Sequence, residues 1–265
     1  MIRKVPSPHT HGHDVGERLF VHRHSVIHRL PAEVKTVAMV AFIFTVIMTP
    51  PNQFWAFALY ALILVGVAVL ARIPARVILP RMLVEVPFVF FALLMPFFGS
   101  GPTVEVLGLS LSQAGLLAGW GILIKGTLGV VSSILLAATT PARDLLMGLE
   151  RLKVPELLVQ IASFMLRYTH VVSDEMHRMK LARESRGFTA TGIRSWPIIA
   201  QSGGALFIRS YERGERVHLA MLSRGYTGRL PQLATVTTTA ADWFTAMSLP
   251  AVGLIIALTA IWAGR

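Results

Sequence analysis

Cysteine is absent from all 265 residues. There is thus no disulfide framework, no thiolate metal site and no cysteine nucleophile. Charge is scarce as well: Asp, Glu, Lys and Arg make up 15% of the chain and apolar residues 54%, with a mean hydropathy of +0.61. That excess over soluble domains points to a membrane-embedded chain. A Gly-x-x-x-x-Gly-Lys-Ser/Thr phosphate loop and a His-Glu-x-x-His zinc pair are both missing, so the chain reads as non-enzymatic. Intramembrane carboxylates for a proton or ion path are missing too; Glu85 alone lies near the interior of an apolar stretch, and it sits close to that stretch's end. Acidic residues number 14 against 25 Lys and Arg, a net charge of +11. The placement of those cations follows the apolar runs, which is a topology signal, so no nucleic-acid partner is expected.

Five apolar stretches run from about 34 to 49, 54 to 70, 83 to 98, 111 to 139 and 243 to 262. Pro50-Pro51 stops the first, a basic loop holding Arg72, Arg76 and Arg81 the second, and Gly99-Ser100-Gly101-Pro102 the third. Six Lys and Arg precede or open the first stretch, through Lys35; three lie in residues 71–82 and fourteen in 139–242, while the turns at 50–53 and 99–110 hold none. Alternate loops are basic, so the N-terminus and the long polar region before the last span are expected in the cytoplasm. The chain is read as an all-α integral membrane protein with about five transmembrane helices. Its regions are a His-rich tail and interfacial segment (1–33), a four-helix membrane region (34–139), cytosolic helices (140–242) and a last membrane helix (243–265). Residues 103–110 alternate as a small hairpin would. The polar, His-rich first residues hold no early apolar core, so no cleavable signal peptide is expected.

Lys125 lies inside the fourth stretch, where an ammonium is costly unless it finds a partner, a cavity or the interface. It reads either as a structural pin or partner contact, or as a lysine reaching the interface near a helix break. Glu85 could pair with it only at equal depth. Gly119, Gly121, Gly126 and Gly129 form a small-residue face that lets another helix approach.

In the polar region, Pro141 suits a helix start with Thr139 or Thr140 as cap and Leu145, Leu146, Leu149 and Leu152 as the apolar stripe. Val154-Pro155 breaks it. A helix from 156 to about 183 follows, and Ser195-Trp196-Pro197 opens another, with Glu212 and Arg216 spaced to pair at i,i+4. Their stripes are Leu157, Leu158, Ile161, Met165, Tyr168, Val172, Met176 and Met179, then Phe207, Tyr211, Val217 and Met221. His170 and His177 share a face but lie on the polar side beside Asp174 and Arg178, as solvated surface.

Each long helix closes on the same pattern: Leu181-Ala182-Arg183-Glu184-Ser185-Arg186-Gly187-Phe188-Thr189 and Leu219-Ala220-Met221-Leu222-Ser223-Arg224-Gly225-Tyr226-Thr227. An arginine in the last turn followed by glycine is ordinary stop chemistry. Capping requires neither the shared Leu-Ala upstream nor the aromatic-Thr downstream. The pair therefore reads as one surface used twice, for a partner with two equivalent receptors.

At these residues the chain resembles the transmembrane T component of energy-coupling factor (ECF) importers, which carries two Ala-Arg-Gly-type motifs at the ends of cytosolic coupling helices. Ser185 and Ser223 stand where alanine is usual. The approach to the first span, Leu19 to Lys35, resembles the cobalt (CbiQ) type. The resemblance implies that two ATP-binding ATPase subunits, which would hold ATP and Mg, dock on Ser185, Arg186, Gly187, Ser223, Arg224 and Gly225. It also implies apolar contact from Leu181, Ala182, Phe188, Leu219, Ala220, Met221 and Tyr226, and a separate small substrate-binding membrane subunit. The chain itself would hold no cofactor. Cobalt or nickel is the expected substrate, with a vitamin behind. His9, His11 and His13, alternating beside Asp14, are candidate metal ligands in the tail. A competing reading is a membrane scaffold whose basic helices bind anionic lipid. It explains the charge but not the repeated helix ends, and a permease forming its own pathway would use one long coupling loop.

Overall fold

In the computed structural model each of the five apolar stretches is largely helical. The structure describes residues 20–21, 25–99, 102–106, 109–188, 192, 195–228 and 238–264. A single turn, α1 (Val26–Arg29), leads to α2 (Ala32–Met48) and, across Pro50-Pro51, to α3 (Phe54–Leu70). Next, α4 (Ala75–Ile78) runs through a 3₁₀ segment, Leu79–Glu85, into α5 (Val86–Phe98). An antiparallel hairpin, β1 (Thr103–Val106) with β2 (Leu109–Ser112), precedes α6 (Gln113–Thr139). Then come α7 (Ala142–Arg151), α8 (Glu156–Glu184), α9 (Trp196–Leu222) and α10 (Ala240–Ala263).

Among the described residues three helical stretches are long and apolar enough to cross a membrane: Ala75–Phe98, Gln113–Thr139 and Ala240–Ala263. The shorter helices α2 and α3 have 17 residues each, and of the two α3 is apolar throughout. At 1.5 Å per residue each reaches about 26 Å, a few ångströms short of a bilayer core. The architecture is an all-α membrane protein with one small hairpin among the described residues.

Four local expectations are corrected. Arg76 and Arg81 lie on helical turns, which shortens the basic loop to a turn at Arg72, in the left-handed region at φ 55°. No threonine caps α7; Pro141 holds that position, and the Thr139 hydroxyl donates to the Leu135 carbonyl instead. The last helix starts at Ala240, because Thr239 and Asp242 form a reciprocal capping box. Glu212 and Arg216 are not among the ion pairs the described residues form; Glu175 pairs with Arg178 and Arg209, and Glu184 with Lys180.

The chain forms two compact units. The first comprises Leu19–Leu152 and Val236–Arg265, and so includes α7. Its core is Phe42 and Val46 of α2, Phe57, Tyr60 and Leu64 of α3, and Leu135 of α6, all essentially inaccessible. The Tyr60 hydroxyl donates to the Gly253 carbonyl of α10 at 3.1 Å and shares a 2.9 Å hydrogen bond with Thr49, so three helices meet at one polar knot. Around this core, Phe98, Phe244 and Trp262 are over four-fifths exposed while Glu33, Lys35 and Glu85 are buried. Apolar outside and charged inside is the arrangement a lipid solvent selects.

Two lysines, Lys35 buried and Lys125 half-buried, close helix ends. Lys125 Nζ of α6 donates to the Ile47 carbonyl at 2.8 Å, and Lys35 Nζ of α2 to the Thr139 carbonyl at 3.0 Å. Each helix sends a cation to the C-terminal carbonyls of the other, where orphan acceptors and the macrodipole both favour it. Lys125 is therefore a structural pin, and Glu85 is bound elsewhere, accepting from Thr127. Lys125→Met is expected to cost about 2 kcal/mol, the value of a charge-assisted hydrogen bond at a helix end. Thermal unfolding in detergent measures it, and Lys125→Arg should retain about half of the loss.

The small-residue face works in part. A Cβ on Gly119 would stand 2.6 Å from the Ala92 carbonyl oxygen, so this glycine admits the backbone of α5. Gly115, one turn earlier, does the same against Met95 at 2.4 Å. Gly121 abuts Pro51, Gly126 lies near Glu85, and Gly129 faces open space.

Candidate functional site

The second unit comprises chiefly Lys153–Thr235 and is built on α8 and α9. Three sets of side-chain bonds give their direction: Arg183 donates to Ser202, Arg209 to Glu175, and Tyr226 to Gln160 Oε1 at 2.6 Å. Rising positions on one helix meet falling positions on the other, so the two helices run antiparallel. Arg186 then stands beside the start of α9 and Arg224 beside the start of α8. The 27 residues of α9 separate the tips by about 40 Å.

The two tips are built alike to the bond. Gly187 and Gly225 adopt φ of 78° and 83°, the left-handed region that a glycine enters without a Cβ clash. Phe188 N–H donates to the Arg183 carbonyl at 3.1 Å and Gly187 N–H to Glu184 at 3.0 Å; Tyr226 donates to Met221 and Gly225 to Leu222, both at 3.0 Å. This reversed 6→1 and 5→2 pair is the Schellman closure. The Ser185 hydroxyl donates to the Ala182 carbonyl at 3.1 Å and that of Ser223 to Ala220 at 3.0 Å. Serine, glycine and the aromatic backbone N–H thus satisfy the carbonyls of Ala182, Arg183 and Glu184 at one tip and of Ala220, Met221 and Leu222 at the other.

What remains for a partner is the arginine. Arg186 and Arg224 are exposed, and among the described residues neither guanidinium forms a hydrogen bond or ion pair. Beside them Leu181 is 49% and Leu219 59% exposed, with Ala182 and Ala220 exposed and Phe188, Met221 and Tyr226 half-buried. All thirteen motif residues therefore lie at the two helix ends. The structure adds Gln160, whose amide bridges Tyr226 to the Gly228 carbonyl, the latter at 2.6 Å. The only hint in the sequence is a tyrosine where the first copy has phenylalanine. The stripes on α8 and α9 are uncovered too, with Leu157, Met165, Phe207 and Tyr211 each about two-thirds exposed or more. His9, His11 and His13 lie outside the described residues, as does Thr189; among the described residues no three His, Asp or Glu side chains gather to hold a metal.

Both glycines have open space where a Cβ would go. Gly187→Ala or Gly225→Ala should therefore cost only backbone strain, about 1 kcal/mol. Hydrogen exchange at the Phe188 or Tyr226 amide reads it, and an unchanged rate at the substituted tip would contradict the closure described.

A family model for the cobalt transport protein family matches residues 23–235. The chain is 30% identical to the energy-coupling factor transporter transmembrane protein EcfT of Staphylococcus aureus over 224 residues, 76% of this chain and 80% of that one. It is also 30% identical to the cobalt transport protein CbiQ of Rhodobacter capsulatus over 128 residues, 48% and 52% of the two chains. An uncharacterized protein of Methanocaldococcus jannaschii is 36% identical over 118 residues, 44% of each chain. The matches to the last two thus span about half of those proteins.

Proposed function

The chain belongs to the cobalt transport protein (CbiQ) family of ECF-type T components, and we propose that it transmits the motion of two ATPase subunits to a separate substrate-binding membrane subunit. One observation carries this reading: two helix ends with the same closure, that of α8 and that of α9, each leave one guanidinium unpartnered among the described residues and stand about 40 Å apart, the length of the 27-residue α9. A helix of about 30 Å already spans a small domain, so two tips at that distance suit two receptors. Each guanidinium would give bidentate, charge-assisted hydrogen bonds to acidic or carbonyl groups in one ATPase groove. Leu181, Ala182, Phe188, Leu219, Ala220, Met221 and Tyr226 would exclude water around them.

With both tips cytoplasmic, as the distribution of basic loops favours, ATP-driven closure of the ATPase pair moves the ends of α8 and α9. The uncovered stripes on those helices offer the surface on which the substrate-binding subunit would ride. ATP and Mg belong to the partners. The chain's own work is mechanical, and cobalt or nickel is the substrate proposed for the assembled importer. Co-purification in detergent tests the reading: the chain should retain two ATPase chains per copy, and retention of one or none would sink it. Uptake of cobalt(II), nickel(II), biotin and riboflavin by the assembled complex then separates a metal importer from a vitamin importer.

A further inference from the structure

The chain leaves the membrane unit after Leu152 and returns to it at Val236. One buried carboxylate holds the chain near both crossings. Glu33, in the first turn of α2, is 4% exposed, and its Oε1 accepts from Arg151 Nη1 at 3.1 Å and from Thr238 Oγ1 at 2.6 Å. Arg151 is the last residue of α7, and Thr238 precedes the N-cap of α10. The foot of α7 is seated closely as well: a Cβ on Gly148 would lie 2.8 Å from the Glu33 backbone nitrogen.

Immediately beyond this anchor the backbone changes character. Lys153 adopts φ 63°, left-handed and unusual for a residue with a Cβ, and Val154-Pro155 separates α7 from α8. A buried ion pair is a poor way to gain stability, since an apolar residue would seal the same site without desolvating charge. What a carboxylate adds is direction, because its bonds fix the geometry of the groups that donate to it.

We propose that Glu33 is a positioning residue for energy coupling. It fixes both roots of the coupling unit, so that force at the tips turns α8 about the Lys153 joint and does not drag its root through the membrane unit. The proposal rests on the T-component reading above, and two measurements keep the two apart.

The first needs neither partner nor substrate. As the chain has no cysteine, Phe207→Cys and Phe244→Cys, both strongly exposed, place one spin label on α9 and one on α10. In the full chain in lipid nanodiscs, Glu33→Gln should broaden the distance distribution of this pair. A reference pair within the membrane unit, Phe54→Cys with Phe244→Cys, should keep its width. Thr238→Val should give a smaller broadening and Thr238→Ser none. An unchanged distribution in Glu33→Gln, or equal broadening of the reference pair, overturns the proposal.

The second uses the complex with both ATPases and the substrate-binding subunit in vesicles, with cobalt(II) as the probe. Glu33→Gln should hydrolyse ATP at close to the parent rate while importing about tenfold less cobalt per ATP. A proportional fall in both rates, or no fall in import, overturns it. Failure of the unsubstituted complex to import cobalt would count against the metal reading instead, and the label distances would then decide the clamp.

Discussion

Arg186→Glu and Arg224→Glu are each expected to leave the protein in the membrane at normal abundance and to weaken ATPase docking by about 100-fold, the loss of a buried charge-assisted anchor worth about 3 kcal/mol. The fold should tolerate both, because each tip is closed by backbone and serine bonds and the guanidinium has no partner among the described residues. Two receptors make the effect asymmetric in kind: one substitution leaves one ATPase attached but idle, and the pair of substitutions releases both. Arg→Lys keeps the charge and loses the planar fork, so a loss of about tenfold should follow at either tip. ATPase co-purification and ATP-driven uptake in vesicles measure these outcomes. Normal uptake by both glutamate variants would refute the assignment of the tips.

Much of this architecture is legible in the chain itself, because lipid imposes long apolar runs and a helix end imposes Arg-Gly. The stripes of α8 and α9, the start of α9 at Ser195-Trp196-Pro197 and both tip motifs follow from spacing alone. Partner choice within the membrane does not. Lys125 selects a backbone carbonyl, and every residue carries one, so no side-chain pattern announces Ile47 as its acceptor. Glu85 selects a threonine hydroxyl on the same helix as that lysine, which removes the pairing charge alone would suggest. Glu33 and Lys35 are the charges that open α2, and they look like ordinary flanking residues until Arg151, Thr238 and the Thr139 carbonyl are brought to them across more than a hundred positions of sequence. The glycines divide for a similar reason. Composition marks them all as small, but only tertiary approach decides which ones touch.

That division gives the other large effect. Pro96 has no N–H, so the Ala92 carbonyl loses its i+4 donor within α5, and this carbonyl is the group that faces Gly119. Gly115 meets Met95 and Pro96 of the same helix, with a would-be Cβ at 2.4 and 2.8 Å. The obstructing atoms are backbone, which cannot rotate aside as a long side chain does, so a methyl at either position must push α5 and α6 apart. Gly115→Ala and Gly119→Ala should each destabilise the membrane unit by about 3 kcal/mol, the upper part of the range for overpacking. Gly129→Ala supplies the internal comparison on the same helix. Its Cβ would meet nothing within 4 Å, so the better helix propensity of alanine should leave it neutral or about 0.5 kcal/mol more stable. Thermal unfolding of the three variants in one detergent ranks them. Equal behaviour of Gly119→Ala and Gly129→Ala would mean that α5 does not lie against α6 by its backbone.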